Sequence, residues 1–552
     1  MGIRTIAMSL LATSALAAAT GTALADNDQC NGSRDVTLVN GKIHTLDAGN
    51  SVVSTVTIKD GKFTSVGHQG SDGGPCMRTI DLHGRTAIPG LVDNHNHFLL
   101  LGARPGHDVR LETAGSIADV QATIQARTKT VPKGAFITAM GGWTTGQFKE
   151  NRLPTLAELD AAAPNNPVLV FESFTGPGVV NTLGKKFFAG NNINADAQGV
   201  LAANTVAVAA MDLLRNEQTF DDKKRGTLDA MAYSASVGVT TNVDMGGFIV
   251  PGTANTDGEA QFDTLASWDP FTAYDPLLAL HDEGKAFVRV RIFFLSMDTA
   301  PDVPFTSAKV LNGFYNFGDD MVRSSGIGEF VTNWPLFGPP TFPTNYVAAL
   351  QKVADRGWAF QQHSLSIAED MFIADSFEAV NKTTPIGPLR WSDAHVPQID
   401  VPTITRLKKI GAGIAVHGWM YLNNGTAGGP PYRTIVESGI QVGAGSDSAQ
   451  ISTLNPWNML YYMVTGKNAG GNLVNAGQTL SREEAIRLYT VNNGWFLREE
   501  DKLGSIEEGK LGDVVVLNAD YFNAAATPDI RKVQPVTTII DGKVVFDTTN
   551  GR

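Results

Sequence analysis

Cysteine is nearly absent from this sequence: Cys30 and Cys76 are the only two in 552 residues. Neither has C-x-x-C or Cys/His spacing, which excludes a cysteine-built zinc or redox site and leaves the pair for a structural disulfide. Positive charge is short as well. Lysine and arginine number 43 against 55 aspartates and glutamates, a net charge of −12. The chain therefore lacks the basic footprint of a nucleic-acid binder or an anionic-membrane binder. No segment after the first 25 residues is long and apolar enough to span a bilayer. Missing too are a G-x-G-x-x-G or Walker loop set between strand and helix, and a G-x-S-x-G nucleophile elbow. There is no repeat array and no low-complexity tail.

The N-terminus has a short basic start at Arg4, an apolar run from Ile6 to Ala18, and the A-x-A form Ala23-Leu24-Ala25. This pattern predicts a signal peptide over 1–25, a mature start at Asp26, and an exported protein, periplasmic or secreted. Export permits a disulfide between Cys30 and Cys76.

From Val36 to about Ile88, β-branched runs alternate with tight turns such as Asn40-Gly41 and Asp60-Gly61. The C-terminal end repeats the pattern around Asp541-Gly542. Asn-Gly and Asp-Gly between such runs signal hairpins. The two ends, 26–88 and 500–552, are expected to form one composite β-domain. The middle, 89–499, alternates strand-like and helical stretches. Strand candidates include 136–140, 168–171, 239–243, 288–295, 359–362, 414–416 and 441–445. Such alternation argues for an α/β fold, and about eight units suit a distorted (β/α)8 barrel with insertions. The Gly/Pro/Asn/Asp-rich stretch 253–276 is expected as one insertion near the barrel mouth.

His95 and His97 close an apolar run, Ala87 to Asn94, entered through Pro89-Gly90. Residues two apart on a strand share a face, so both imidazoles reach one metal ion. His363, His395 and Asp447 also follow strand candidates. In a barrel that edge is where functional groups converge, and imidazoles with a carboxylate are the usual ligands of zinc and related divalent ions. His417 follows Ile414-Ala415-Val416 and is a candidate for lining the pocket. Trp143 and Trp419, also near strand ends, are candidates for an apolar substrate wall, with a core role as the alternative.

In this order the sequence resembles the amidohydrolase superfamily, and in particular its amidohydrolase-3 branch. The resemblance rests on Pro89 to His97, Gly141-Gly142-Trp143, Leu153-Pro154-Thr155-Leu156, Gly238-Val239-Thr240-Thr241, Gly445-Ser446-Asp447 and Gly504 to Asp513. It implies a TIM-like barrel with a composite β-sandwich domain. It also implies one or two divalent metals per chain, zinc first among them, and a small-molecule substrate. Homo-oligomers are common in such families, so self-association is an expectation. By the same resemblance His95 and His97 hold the more buried metal, His363 and His395 hold the second, and Asp447 is both metal ligand and proton shuttle. Metal-activated hydroxide then attacks an amide-like carbonyl, His417 is one donor to the oxyanion, and Asp447 protonates the departing amine.

Two departures from the family pattern stand out. Many members bridge two metals with a carboxylated lysine, whereas the corresponding stretch, Gly326 to Trp334, has no lysine. Glu329 is the candidate bridging carboxylate, with an exposed loop glutamate as the alternative. A Gly-His common in the branch is replaced by Gly176-Pro177, which removes a substrate-contacting histidine. Rival readings are an ester, lactone or carbamate hydrolase, a mononuclear deaminase, and a metal-bearing binding protein without turnover.

Overall fold

The structure is a computed structural model that describes residues 30–549 except 31, 69, 71–73, 174–175, 248–272, 299, 335–340, 424–427 and 449–450. The expected signal peptide and most of the expected 253–276 insertion lie outside the described residues.

Eight strands carry the site: β1 (Leu91–Asn96), β2 (Val239–Asp244), β3 (Arg289–Phe294), β4 (Val322–Ile327), β5 (Gln361–Ser364), β6 (Ser392–His395), β7 (Gly413–His417) and β8 (Gln441–Gly445). They form two four-stranded sheets, ordered β4-β3-β2-β1 and β5-β6-β7-β8. Every pairing inside them is parallel. A parallel bridge between Ile327 and Phe360 joins β4 to the segment entering β5. At the other side, the Asp447 N–H donates to the His95 carbonyl at 2.8 Å. Helices follow the strands, as parallel connections require. The helix Val401–Lys409 illustrates the local causes. The Asp400 carboxylate accepts the Thr403 N–H at its start, Pro402 occupies the first turn, and Arg406, Lys408 and Lys409 sit in the last turn.

The strands differ from the expectation in two places. Ile137–Met140 and Val168–Phe171 are strands, but they do not join the eight. With His107–Asp108, Gly178–Val180 and Val200–Leu201 they make a separate five-stranded sheet between β1 and β2. That sheet has its own core on each face, around Ile137, Val168 and Trp143 on one side and Leu169, Phe171 and Phe188 on the other. Conversely, β4 reads Val-Arg-Ser-Ser-Gly-Ile and has too few apolar residues to announce a buried strand. It is buried because Arg323 finds Glu499, with Nη1 and Oε1 3.0 Å apart.

The two chain ends share one six-stranded sheet, ordered Lys543–Asp547, Pro535–Ile540, Val514–Leu517, Thr86–Pro89, Lys42–His44, Val52–Val53. A four-stranded sheet of 62–66, 56–59, 36–39 and 78–81 packs on it. Val36, Leu38, Ile58 and Phe63 meet Val514, Val516 and Ile539 in their common core. Arg289 of β3 ties this part to the eight strands through Asp513, with Nε and Oδ2 2.8 Å apart. Cys30 and Cys76 form a disulfide. Among the described residues no helix is long and apolar enough to cross a membrane.

Candidate metal centre

Seven polar side chains converge at the C-terminal ends of the parallel strands. His95 belongs to β1 and His97 follows it. Glu329 stands two residues past β4, His363 lies in β5, His395 ends β6, His417 ends β7, and Asp447 stands two residues past β8. All are buried; the most accessible, His363, is 8 % exposed. Glu329 is 2 % exposed, so the exposed-loop alternative is overturned. At His395 and Asp447 the chain leaves its strand with φ of +68° and +53°. Residues with a Cβ seldom adopt that left-handed conformation, and it persists where surrounding contacts over-determine it.

Strands β1 and β8 approach closely here. A Cβ added at Gly445 would lie 2.6 Å from the His95 nitrogen and 2.7 Å from its carbonyl oxygen. Asp93 ties the same two strands: its carboxylate accepts the Ser446 N–H at 2.9 Å, the Ser446 hydroxyl at 2.5 Å and the His95 N–H at 3.3 Å.

The first group is His95, His97, Asp447 and Glu329. His97 Nε2 lies 3.3 Å from Asp447 Oδ1 and 3.4 Å from Glu329 Oε1. His95 Nε2 lies 3.4 Å from Glu329 Oε2 and 3.6 Å from Asp447 Oδ1. Most of these separations are long for hydrogen bonds. They match the roughly 3.3–3.5 Å between two ligand atoms that each stand about 2.1 Å from one tetrahedral ion. His95 Nε2 is buried without a hydrogen-bond partner among the described residues, as an atom awaiting a ligand would be. The second group, Glu329, His363 and His395, is tighter. Glu329 Oε2 lies 2.9 Å from His363 Nδ1 and 3.2 Å from His395 Nε2. Glu329 thus faces both groups, the position of a bridging carboxylate. The donor set, imidazoles with carboxylates, fits a divalent ion of the zinc type.

The charge balance points the same way. Burial alone would raise Glu329, but His363, His395 and His95 hold it well below the usual carboxylate range. Asp447 is held low likewise, against its burial, by His395, His95 and His97. Burial would lower His95, yet Asp447 and Glu329 lift it to about 10. Two ionised carboxylates in a desolvated cluster call for positive charge, which a metal ion supplies in place of a proton.

The six ligands expected from the sequence come together, and His417 joins them. Trp419 lies two residues past His417, partly buried against the main core. Trp143 lies in a core position. It is enclosed at 1 % exposure in the core of the five-stranded sheet and stacks on Phe148. Several contributors had not been anticipated. Gln361 Oε1 meets His95 Nδ1, and the Gly246 carbonyl accepts from His97 Nδ1 at 2.8 Å. Asp244 accepts the Gly246 and Leu99 N–H groups and the Tyr274 hydroxyl, fixing the loop that holds His97. Gln361 stands two residues before His363, so strand periodicity carried a signal for it.

Comparison with known proteins adds the ancestry. A model of the amidohydrolase family, the amidohydrolase-3 branch, matches residues 78–546. The N-substituted formamide deformylase of Arthrobacter pascens is 23 % identical over 94 % of this chain and 99 % of its own length. A metal-dependent hydrolase of uncharacterised function from Pyrococcus furiosus superposes with a TM-score of 0.58 at 19 % identity, covering 89 % of this chain and all of that one (100 %). The atrazine chlorohydrolase TrzN of Arthrobacter aurescens TC1, solved with zinc, gives 0.52 at 16 % identity over 93 % and 95 %. These likenesses at low identity describe the fold; the family match spans most of the sequence. The chain belongs to the amidohydrolase family and is a metal-dependent amidohydrolase.

Proposed function

We propose that the protein is exported and hydrolyses an amide-like C–N bond of a small molecule. One cation is held by His95, His97, Asp447 and Glu329, and a second by Glu329, His363 and His395. The observation that carries this reading is the set of 3.3–3.6 Å nitrogen–oxygen separations around the first group. Bound there, a divalent cation lowers the pKa of water and polarises a carbonyl. The chain's own residues do the rest. Asp447, held ionised, takes the proton of the attacking water and returns it to the departing amine. Trp419 forms part of the wall against which the substrate lies. The same reading has the eight strands closing as a distorted barrel over 89–499, with 26–88 and 500–552 as the composite domain and 1–25 removed on export.

A relative named for N-substituted formamides sets the first substrates to try. The test is hydrolysis of a panel of N-substituted formamides, larger amides, carbamates, esters and lactones, before and after chelation. Amine release from the amides, abolished by a chelator and restored by zinc, is expected. Turnover confined to esters or lactones, or unaffected by metal removal, would contradict it.

A single-cation reading is favoured by one contact. The 2.9 Å separation of His363 Nδ1 from Glu329 Oε2 is that of a hydrogen bond rather than of two ligands on one ion. In that reading the second group is a hydrogen-bonded frame, as a mononuclear hydrolase or deaminase would use, and one metal equivalent per chain distinguishes it.

A further inference from the structure

His417, a candidate for lining the pocket, stands inside the cluster with its ring against that of His395. Three imidazoles of the cluster present Nε2 to the carboxylates: His95, His97 and His395. For the first two, the opposite nitrogen is claimed by an acceptor, Gln361 Oε1 for His95 and the Gly246 carbonyl for His97. For His395 the atom in that position is His417 Nδ1, 2.7 Å from His395 Nδ1. A carboxylate oxygen, Asp447 Oδ2, stands farther from the same nitrogen, at 3.5 Å.

We propose that His417 is a positioning residue that accepts the Nδ1–H of His395 and so fixes the tautomer in which His395 Nε2 faces a cation. The inference rests on the two-cation reading above. A neutral imidazole that gives Nε2 to a metal carries its proton on Nδ1, and that proton needs an acceptor. His417 is buried at 0 % exposure, and its own carbonyl is anchored by the Tyr432 hydroxyl at 2.7 Å. The separation is that of a hydrogen bond between the two Nδ1 atoms. Two nitrogens at about 2.0–2.1 Å from a tetrahedral ion stand roughly 3.3 Å apart, well beyond 2.7 Å. The remaining His417 proton then sits on Nε2, which meets no acceptor among the described residues.

The test is zinc binding to the purified full chain, by competition with a chromogenic chelator, in wild type, His417→Ala and His417→Asn. The visible spectrum of the cobalt-substituted proteins is read alongside. The alanine variant is expected to bind its weaker equivalent about 10- to 100-fold less tightly, the usual effect of losing such a partner. The asparagine variant, whose Oδ1 stands near the Nδ1 position, is expected to recover affinity and the wild-type cobalt spectrum. Wild-type affinity for both equivalents in the alanine variant overturns the inference alone. Outright loss of one equivalent in both variants also overturns it, because His417 would then be a ligand. A wild type that holds one equivalent overturns the two-cation reading and this inference with it.

Discussion

Asp370 lies on the helix Ile367–Asn381 that follows β5 and Asp393 lies in β6 itself, two residues before His395, both fully buried. The Ser364 hydroxyl donates to Asp370 Oδ1 at 2.6 Å, while Asp370 Oδ2 and both Asp393 oxygens have no partner among the described residues. Burial pushes Asp370 up to about 7, opposed by the Ser364 hydrogen bond and aided by the nearby charges of Glu369 and Asp400. Asp393 is raised well above its ordinary value by burial and by Asp370. The consequence for stability follows from linkage. As pH rises from about 4 to about 7, the unfolded chain releases the Asp370 proton while the folded chain keeps it, so stability falls across that window. In Asp370→Asn that decline is expected to flatten. Urea midpoints of both proteins at about pH 4.5 and about pH 7.5 check it. An equal decline in both would remove Asp370 from the account.

Elements hold the site by close approach. Strand β8 meets β1 at Gly445, where a methyl group would collide with backbone atoms of His95. Backbone cannot step aside as a flexible side chain can, so Gly445→Ala is expected to separate the strands and destabilise the fold by about 1–3 kcal/mol. Metal affinity is expected to fall with it, since His95 and Asp447 leave from those strands. An unchanged midpoint and unchanged zinc content would contradict this. Most strands between 239 and 445 were legible because they are apolar runs of strand length. His95, His97, His363 and Asp447 were legible because they close such runs, and His-x-His exploits the two-residue period, whereas Glu329 was legible only through the family pattern. What was not legible shows why. Strand β4 is polar in sequence and is made into core by Glu499, 176 residues after Arg323. Ile137–Met140 and Val168–Phe171 are as apolar as strands of the main set, and nothing local tells which sheet they join. The role of His417 depends on a neighbour on another strand, which no one-dimensional pattern encodes.

The whole molecule is fastened by ion pairs that join distant parts of the chain. Glu499 accepts from Arg291 Nε at 3.1 Å and from Arg323 Nη1 at 3.0 Å, with Glu499, Arg291 and Arg323 all buried. Arg289 and Asp513 make a further pair to the C-terminal β-rich part. Removing the shared carboxylate leaves the buried Arg291 guanidinium without counter-charge and Arg323 with Asp320 alone, 2.8 Å from its Nη2. Glu499→Gln is therefore expected to lose about 3–5 kcal/mol of stability, read as a lower unfolding midpoint with zinc content retained in the folded protein. A shift below about 1 kcal/mol, the range of exposed pairs, would show the pair to be incidental.

At the same scale, the central claim is that strand ends far apart in sequence assemble one two-cation centre bridged by Glu329. Elemental analysis of metal per chain, on metal-replete wild type and Glu329→Ala, tests it most directly. The account predicts two equivalents in the wild type and one or none in the variant. An equal count in both proteins, or no metal in the wild type, would contradict it.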